Sequence, residues 1–311
     1  MRTSPSVNCR SLILSMVLSV PVAVSAEDAG KAFATPEEAV SALEAAAVSA
    51  DRSALRVIFG PAAEELQNPD QVQAAHELGR FTAALGQAKR IVRESDSRCV
   101  LEVGAEAWPF PVPLVHKDGA WFFDTAAGKD ELLNRRIGRN ELMTLSAMRA
   151  YVEAQRDYAS KDRDGDEVLE YAQTILSAPG KKDGLYWPPE LDGEISPLGP
   201  LAAQAQGEGY GVRAKTEGAA PEPFHGYLFK VVTRQAKSAP GGKYDYIING
   251  NMIGGFALIA WPASYGESGI MTFIVNQQGR VYQRDFGSDT LKTAAKMKVY
   301  DPDKTWAVSP D

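Results

Sequence analysis

The chain has 311 residues, enough for two ordinary domains, and 44% of them are hydrophobic, so there is material for more than one core. Its formal net charge is −7, and no basic stripe interrupts that acidity, which argues against nucleic acid or anionic lipid as a partner. With two cysteines and three histidines, it is a poor source of disulfides and of metal sites.

The first residues read as an export signal. Arg2 and Arg10 make a basic start, "SLILSMVLSVPVAV" is an apolar run, and "VSA" places small residues at Val24 and Ala26 ahead of Glu27. The run falls short of the roughly 20 residues needed to span a bilayer, so cleavage after Ala26 is expected. No later stretch is long and apolar enough to cross a membrane. Residues 1–26 are therefore read as a signal peptide, and the location as periplasmic or secreted. Removing them costs two arginines and no acid, taking the charge from −7 to about −9. Cys9 precedes the apolar run and cannot be a lipoprotein cysteine. Cys99 then stands alone, inside the alternating "SRCVLEV", and reads as a small buried apolar residue.

The remaining chain divides near residue 138. In residues 27–137, Thr35, Pro36 and Glu38 spell a helix start, followed by Val40, Leu43, Ala47 and Ala50 at helical spacing. Asp51 caps a second short helix with Leu55, Ile58 and Phe59, and a third covers Gln71 to Ala88. The period then changes to two. "KRIVRES", "RCVLEVG", "FPVPLVHKD" and "AWFFDT" predict successive strands, with turns at Asp96-Ser97 and Lys117-Asp118-Gly119. Helices followed by a curved antiparallel sheet make an α+β unit.

In residues 138–311, Asn140 is expected to cap a helix carrying Leu145, Met148, Val152 and Tyr158. "EVLEYAQTIL" predicts another helical turn or two. Residues 193–223, rich in Gly, Pro, Ala, Gln and Glu, predict a long mobile loop. "GYLFKVVTRQ", "YDYIING", "GGFALIAWP", "GIMTFIVNQ" and "GRVYQRDF" then supply short strands at hairpin intervals, with "NQQG" as a tight turn. The tail from Ser288 is weakly patterned.

Few residues carry chemistry. His76, His116 and His225 lie outside metal-ligand spacing of one another, and "HELGR" lacks the second His of a zincin. Ser268 in "YGESGI" sits in a turn rather than a nucleophile elbow. "DRDGDEVLE" offers Asp162, Asp164, Asp166 and Glu170. Carboxylates in a loop suit calcium, which takes about six to eight oxygens. The glycine is misplaced for an EF-hand, and a solvated acidic helix end explains the cluster without any metal, so no cofactor is expected and calcium is the one candidate. "FFDTAAGKDELLNRRIGRNEL" is the densest polar stretch. Asp124, Glu131, Arg135, Arg136, Arg139 and Glu141 are expected to form an ion network between the two parts, or else to hold a carboxylate or phosphate. Trp108, Trp121, Trp187, Tyr244, Tyr246, Trp261 and Tyr265 are candidates for contact with sugar or peptidoglycan. Trp261 and Tyr265 stand foremost as an aromatic rim, although most such rings pack inside.

Three resemblances add to this reading. The element order of the first part is similar to the cone-shaped domains of the nuclear transport factor 2-like group, which implies a pocket. Tyr151 to Ala172 and Phe256 to Gln283 resemble the globular module of pilins and pseudopilins, without a prepilin motif or a long apolar helix. Taken whole, "TPEEAVSAL", "WFFDTAAGKDELLNRRIGRNEL" and "YDYIINGNMIGGFALIAWPASYGESGIMTFIVNQQGRVYQRDFG" resemble the exported proteins grouped as the domain of unknown function 2950 family, across residues 33–300. That family likeness implies secretion and a two-part layout and no activity. The expected function is a non-catalytic envelope protein that binds a protein, polysaccharide or peptidoglycan partner through the pilin-like module. The alternative is a hydrolase or isomerase using a pocket in the first part, with Asp124 or Glu102 as acid or base.

Overall fold

Local signals set the first elements of the structure, a computed structural model that describes residues 30–163, 165–191, 193–211 and 222–310. The signal peptide at 1–26, Asp164 and residues 212–221 of the expected loop lie outside the described residues. The Thr35 hydroxyl accepts the Glu38 N–H at 3.1 Å and starts α1 (Pro36–Val48). Asp51 does the same for α2 (Arg52–Phe59) and Asp70 for α3 (Gln71–Gln87). The strands β1 (Lys89–Ser95), β2 (Arg98–Val103), β3 (Trp108–Pro109), β4 (Leu114–Lys117) and β5 (Ala120–Phe123) form one antiparallel sheet in the order β1-β2-β4-β5, with β3 on β2. Asp118 and Gly119 both take positive φ, the tight-turn geometry that joins β4 to β5. Leu43, Leu85, Leu101, Leu114 and Phe123 lie at the heart of the core between helices and sheet.

The next element departs from expectation. The helix predicted to begin at Asn140 begins at Thr125 and runs to Tyr158 as α4, 34 residues and about 50 Å long. Asp124 is its cap, accepting the Ala127 N–H at 3.0 Å. The helix thus crosses the 137/138 boundary, and Asn140 lies mid-helix, fully buried. One end serves each core. Leu132 packs on the first, while Met148, Tyr151, Val152 and Tyr158 belong to the second. No helix among the described residues is long and apolar enough to cross a membrane.

Residues 167–173 are not helical either, because Gln155 has taken their backbone. Its buried amide donates to the Ala172 carbonyl at 2.8 Å and accepts the Ala172 N–H at 2.9 Å, as a neighbouring strand would. The Tyr171 N–H goes to the Met252 carbonyl at 2.9 Å. The chain continues as β6 (Thr174–Leu176), paired in parallel with β7 (Gly184–Tyr186). The expected loop at 193–223 contains α5 (Gly199–Gly207), whose Ala202 and Ala205 are buried, so enough apolar surface is covered to hold a helix there.

The second sheet runs β16-β15-β14-β13-β8, every pair antiparallel. It begins with β8 (Tyr227–Val232). Two small hairpin ladders follow, β9 with β10 (Arg234–Gln235, Tyr244–Asp245) and β11 with β12 (Ile247–Ile248, Asn251–Met252). The sheet resumes with β13 (Ala257–Pro262), β14 (Thr272–Asn276), β15 (Tyr282–Arg284) and β16 (Ala307–Val308). In the tail, α6 (Thr290–Lys296) packs on β13, while α4 lies against β14. All six residues of β13 are buried, so its sequence is an unbroken apolar run rather than an alternation.

Gln155→Leu keeps the volume and strands both backbone groups of Ala172. Loss of about 2–4 kcal/mol is expected in denaturant unfolding. A cost below the effect of an ordinary surface substitution would remove this account of residues 167–173.

Candidate functional site

The polar residues at the middle of α4 join the two cores. The Asn140 side chain accepts from Gln73 Nε2 at 2.6 Å, on α3, and donates to the Ser268 carbonyl at 2.8 Å, in the loop after β13. Its neighbour Glu141 turns one carboxylate oxygen to the backbone N–H groups of Ile270 and Met271, both at 2.9 Å. Tyr227 donates to the Met271 carbonyl at 3.0 Å, and beside Glu141 its buried phenol is pushed far up in pKa, burial being the larger cause. Close approach requires two glycines. A Cβ on Gly226 would sit 2.7 Å from Asn140 Nδ2, and one on Gly269 would sit 2.2 Å from the Tyr227 hydroxyl.

Asp70 supplies a second tie. One oxygen caps α3 at the Gln73 N–H, while the other accepts from the Tyr210 hydroxyl at 2.7 Å and the Gly226 N–H at 3.3 Å. Burial, followed by Asp70 itself, raises the Tyr210 phenol far above its ordinary value. Glu77 receives Arg139 at 2.5 Å and Asn68 at 3.3 Å. Arg136, 4% exposed, donates to the carbonyls of Leu66 at 2.7 Å and Gln67 at 3.0 Å. Burial lowers its pKa, with Glu77 the main opposing charge.

His225 closes the cluster in a left-handed backbone conformation, φ 47°. Its ring packs on Phe224 at 4.4 Å and Tyr210 at 5.2 Å. Nε2 lies 3.0 Å from a Glu208 carboxylate oxygen, within ion-pair range but not aligned as a hydrogen bond, and it is buried. Burial lowers the His225 pKa. Glu208 and Asp70 pull it up, and Arg139 and Arg80 push it down.

Of the residues singled out in the sequence, Arg136, Arg139 and Glu141 meet at this junction. Asp124 does not, being the cap of α4. Arg135 pairs with Glu131 at 2.7 Å and with the Pro109 carbonyl at 3.0 Å, which ties α4 to the first sheet. Glu102 is bonded across the sheet to Arg90 at 2.5 Å. Asp162 accepts the N–H groups of Gly165 and Glu167, while Asp166 accepts from Val168 and from Asn251 Nδ2. A calcium ion on these two carboxylates would compete with those donors. Among the described residues no group of three metal-ligating side chains converges. Trp261 is corrected from rim to core: it sits in β13, 6% exposed. Tyr265 is half-buried, with its hydroxyl 3.3 Å from Asp285. Trp121, Trp187 and Tyr246 are also core, and Trp108 is exposed.

Sequence reasoning missed Asn68, Asp70, Gln73 and Tyr210, and weighed His225 only as a metal ligand. Asp70 was visible only as a residue type suited to capping α3. Its tie to Tyr210 spans 140 residues and leaves no local pattern.

Among the described residues, two of the surface clefts bear on function. One, about 570 Å³, lies beside α2 and contains the paired Arg56 and Glu64. The other, about 360 Å³, lies between α4, the β14–β15 turn and the C-terminal strand. Fold and site together define an α+β protein whose buried polar centre is spent on joining two sheets through one helix. The chain belongs to the family described as Protein of unknown function (DUF2950), which it matches over residues 30–308. No curated protein and no solved structure matches it, so neither the pilin-like nor the cone-like resemblance is confirmed.

Two outcomes follow from this geometry. Asn140→Ala should cost about 2–4 kcal/mol in chemical denaturation, because Gln73 and Ser268 lose partners in a buried place, whereas Arg135→Ala at the surface should cost under about 1 kcal/mol. The His225 pKa is lower folded than unfolded, so the unfolded chain takes up the proton first. Stability from this group is full above about pH 6.5 and declines as pH falls below it. Melting temperature should therefore drop more steeply on acidification in the wild type than in His225→Gln, and matching slopes would refute the assignment.

Proposed function

We propose that the protein is an exported, non-catalytic envelope protein that holds a protein or cell-envelope polymer partner, in the periplasm or outside the cell. The observation that carries this is the commitment of the central polar groups. Asp70, Glu77, Arg136, Arg139, Asn140 and Glu141 all bond to side chains or backbone that fix the two sheets, and the clefts described above lie open at the surface. General acid–base work needs a carboxyl or imidazole within reach of a substrate proton. The competing hydrolase or isomerase reading drew on Asp124 and Glu102, and these are a helix cap and half of a cross-strand ion pair. The basic, apolar and small-residue order of residues 1–26 supports the export reading.

Fractionation followed by N-terminal sequencing should find the chain outside the cytoplasm, starting at Glu27. Crosslinking in envelope extracts with mass spectrometry, together with co-sedimentation on isolated sacculi, should enrich one partner above abundant bystanders. An intact N-terminus in the cytoplasm, or capture of bystanders alone, would overturn the proposal.

A further inference from the structure

Of the three histidines, His76 and His116 are exposed and only His225 is buried, at 8% exposure. Its ring is held between Phe224 and Tyr210, and Nε2 faces the Glu208 carboxylate without the alignment of a hydrogen bond. The charged and titratable groups around it come from three helices. The end of α5 supplies Glu208 and Tyr210, α3 and its cap supply Arg80 and Asp70, and α4 supplies Arg139, itself paired with Glu77 of α3. The two acids draw a proton toward the imidazole, while the guanidinium groups and the loss of water oppose it. Loss of water is the largest influence, so the neutral ring is the form that fits.

The backbone beside the ring is held under strain. His225 and Gly226 take consecutive left-handed conformations, φ 47° and 72°. That turn carries the Gly226 N–H to within 3.3 Å of Asp70 Oδ2, the same oxygen that accepts from the Tyr210 hydroxyl at 2.7 Å. Glycine adopts such a conformation freely, but histidine does so only at a cost. Docking of the imidazole therefore secures a turn that its own backbone disfavours, and this turn makes one of the ties between the cores. The tie through Asn140, from Gln73 to the Ser268 carbonyl, contains no group that titrates.

We propose that His225 is a proton-operated latch at the junction: on acidification it leaves its place beside Glu208 and frees Tyr210 and Gly226 from Asp70, while the Asn140 tie holds. Released into water, the imidazole binds a proton at its ordinary value of about 6.5, whereas in place it binds one only at lower pH. The docked state is thus complete above about pH 6.5. Below that, the released state gains up to about tenfold per pH unit until the docked ring also charges. Opening bares Tyr210, Phe224 and the Asp70 carboxylate, so the surface offered to the surroundings changes with pH. The latch operates with or without a partner and stands apart from the binding reading.

Hydrogen–deuterium exchange of the purified chain, expressed as protection factors so that the chemical pH dependence of exchange cancels, reads the opening directly. Between about pH 7.5 and about pH 5.5, above the usual carboxylate range of about 4, the acids stay charged. Over that interval, peptides carrying Tyr210 and Gly226 should lose about fivefold or more of their protection, while peptides from β2 and β13 keep theirs. His225→Gln should abolish the change. Tyr210→Phe, which removes the bond to Asp70 and leaves the imidazole, should lower protection at both pH values and keep their ratio. In the wild type, proton uptake by the His225 ring, followed by nuclear magnetic resonance, should coincide with the loss of protection, which tests the latch even where a variant fails to fold. Wild-type protection that is indifferent to pH, a ratio retained in His225→Gln, or a ring that titrates without opening would overturn the latch. So would protection lost together in every peptide, which would mark an effect on global stability alone.

Discussion

A single buried amide sets how the two halves of this molecule face one another. Asn140 accepts from a residue of the first core and donates to a carbonyl of the second, through a side chain too short to reach either unless both come close. The approach is possible because Gly226 and Gly269 leave room where any Cβ would collide. A buried amide left without partners would forfeit about 1–3 kcal/mol for each group, so sliding or rotating the halves is penalised before any apolar contact is lost. Glu141 and Asp70 reinforce the same geometry with charge-assisted bonds to backbone N–H groups.

The ease with which each element could be read depended on where its hydrogen bonds go. Thr35, Asp51 and Asp70 satisfy donors within three residues, so the starts of α1 and α2 and the span of α3 stood out in the sequence. The start of α4 did not. Asn140 and Asp124 are both good capping residues, and only from Leu145 onward does one face of the helix carry a regular apolar stripe. The first four turns spend their side chains on Arg135, Arg136 and Arg139, whose partners are carbonyls and acids far away in sequence. Residues 167–173 failed in the opposite sense. Their amphipathic spacing is real, but a glutamine from α4 occupies the backbone that a helix would need.

The candidate site was half legible for a similar reason. Charge density between residues 124 and 141 pointed to α4, and three of those residues do reach the junction. What they meet there is mostly main chain: the carbonyls of Leu66 and Gln67, and the N–H groups of Ile270 and Met271. A backbone partner carries no residue signature. Trp261 shows the converse error, since an aromatic in a strand buried on both faces looks the same in sequence as one at a rim.

The junction also bears on the surface. Arg149, which lines the smaller cleft, lies nine residues beyond Asn140 on the same helix, about 14 Å along its axis, and the opposite wall of that cleft belongs to the sheet against which α4 packs. Fixing α4 at Asn140 and Glu141 therefore limits its rotation against that sheet and holds the walls of the cleft in one relation.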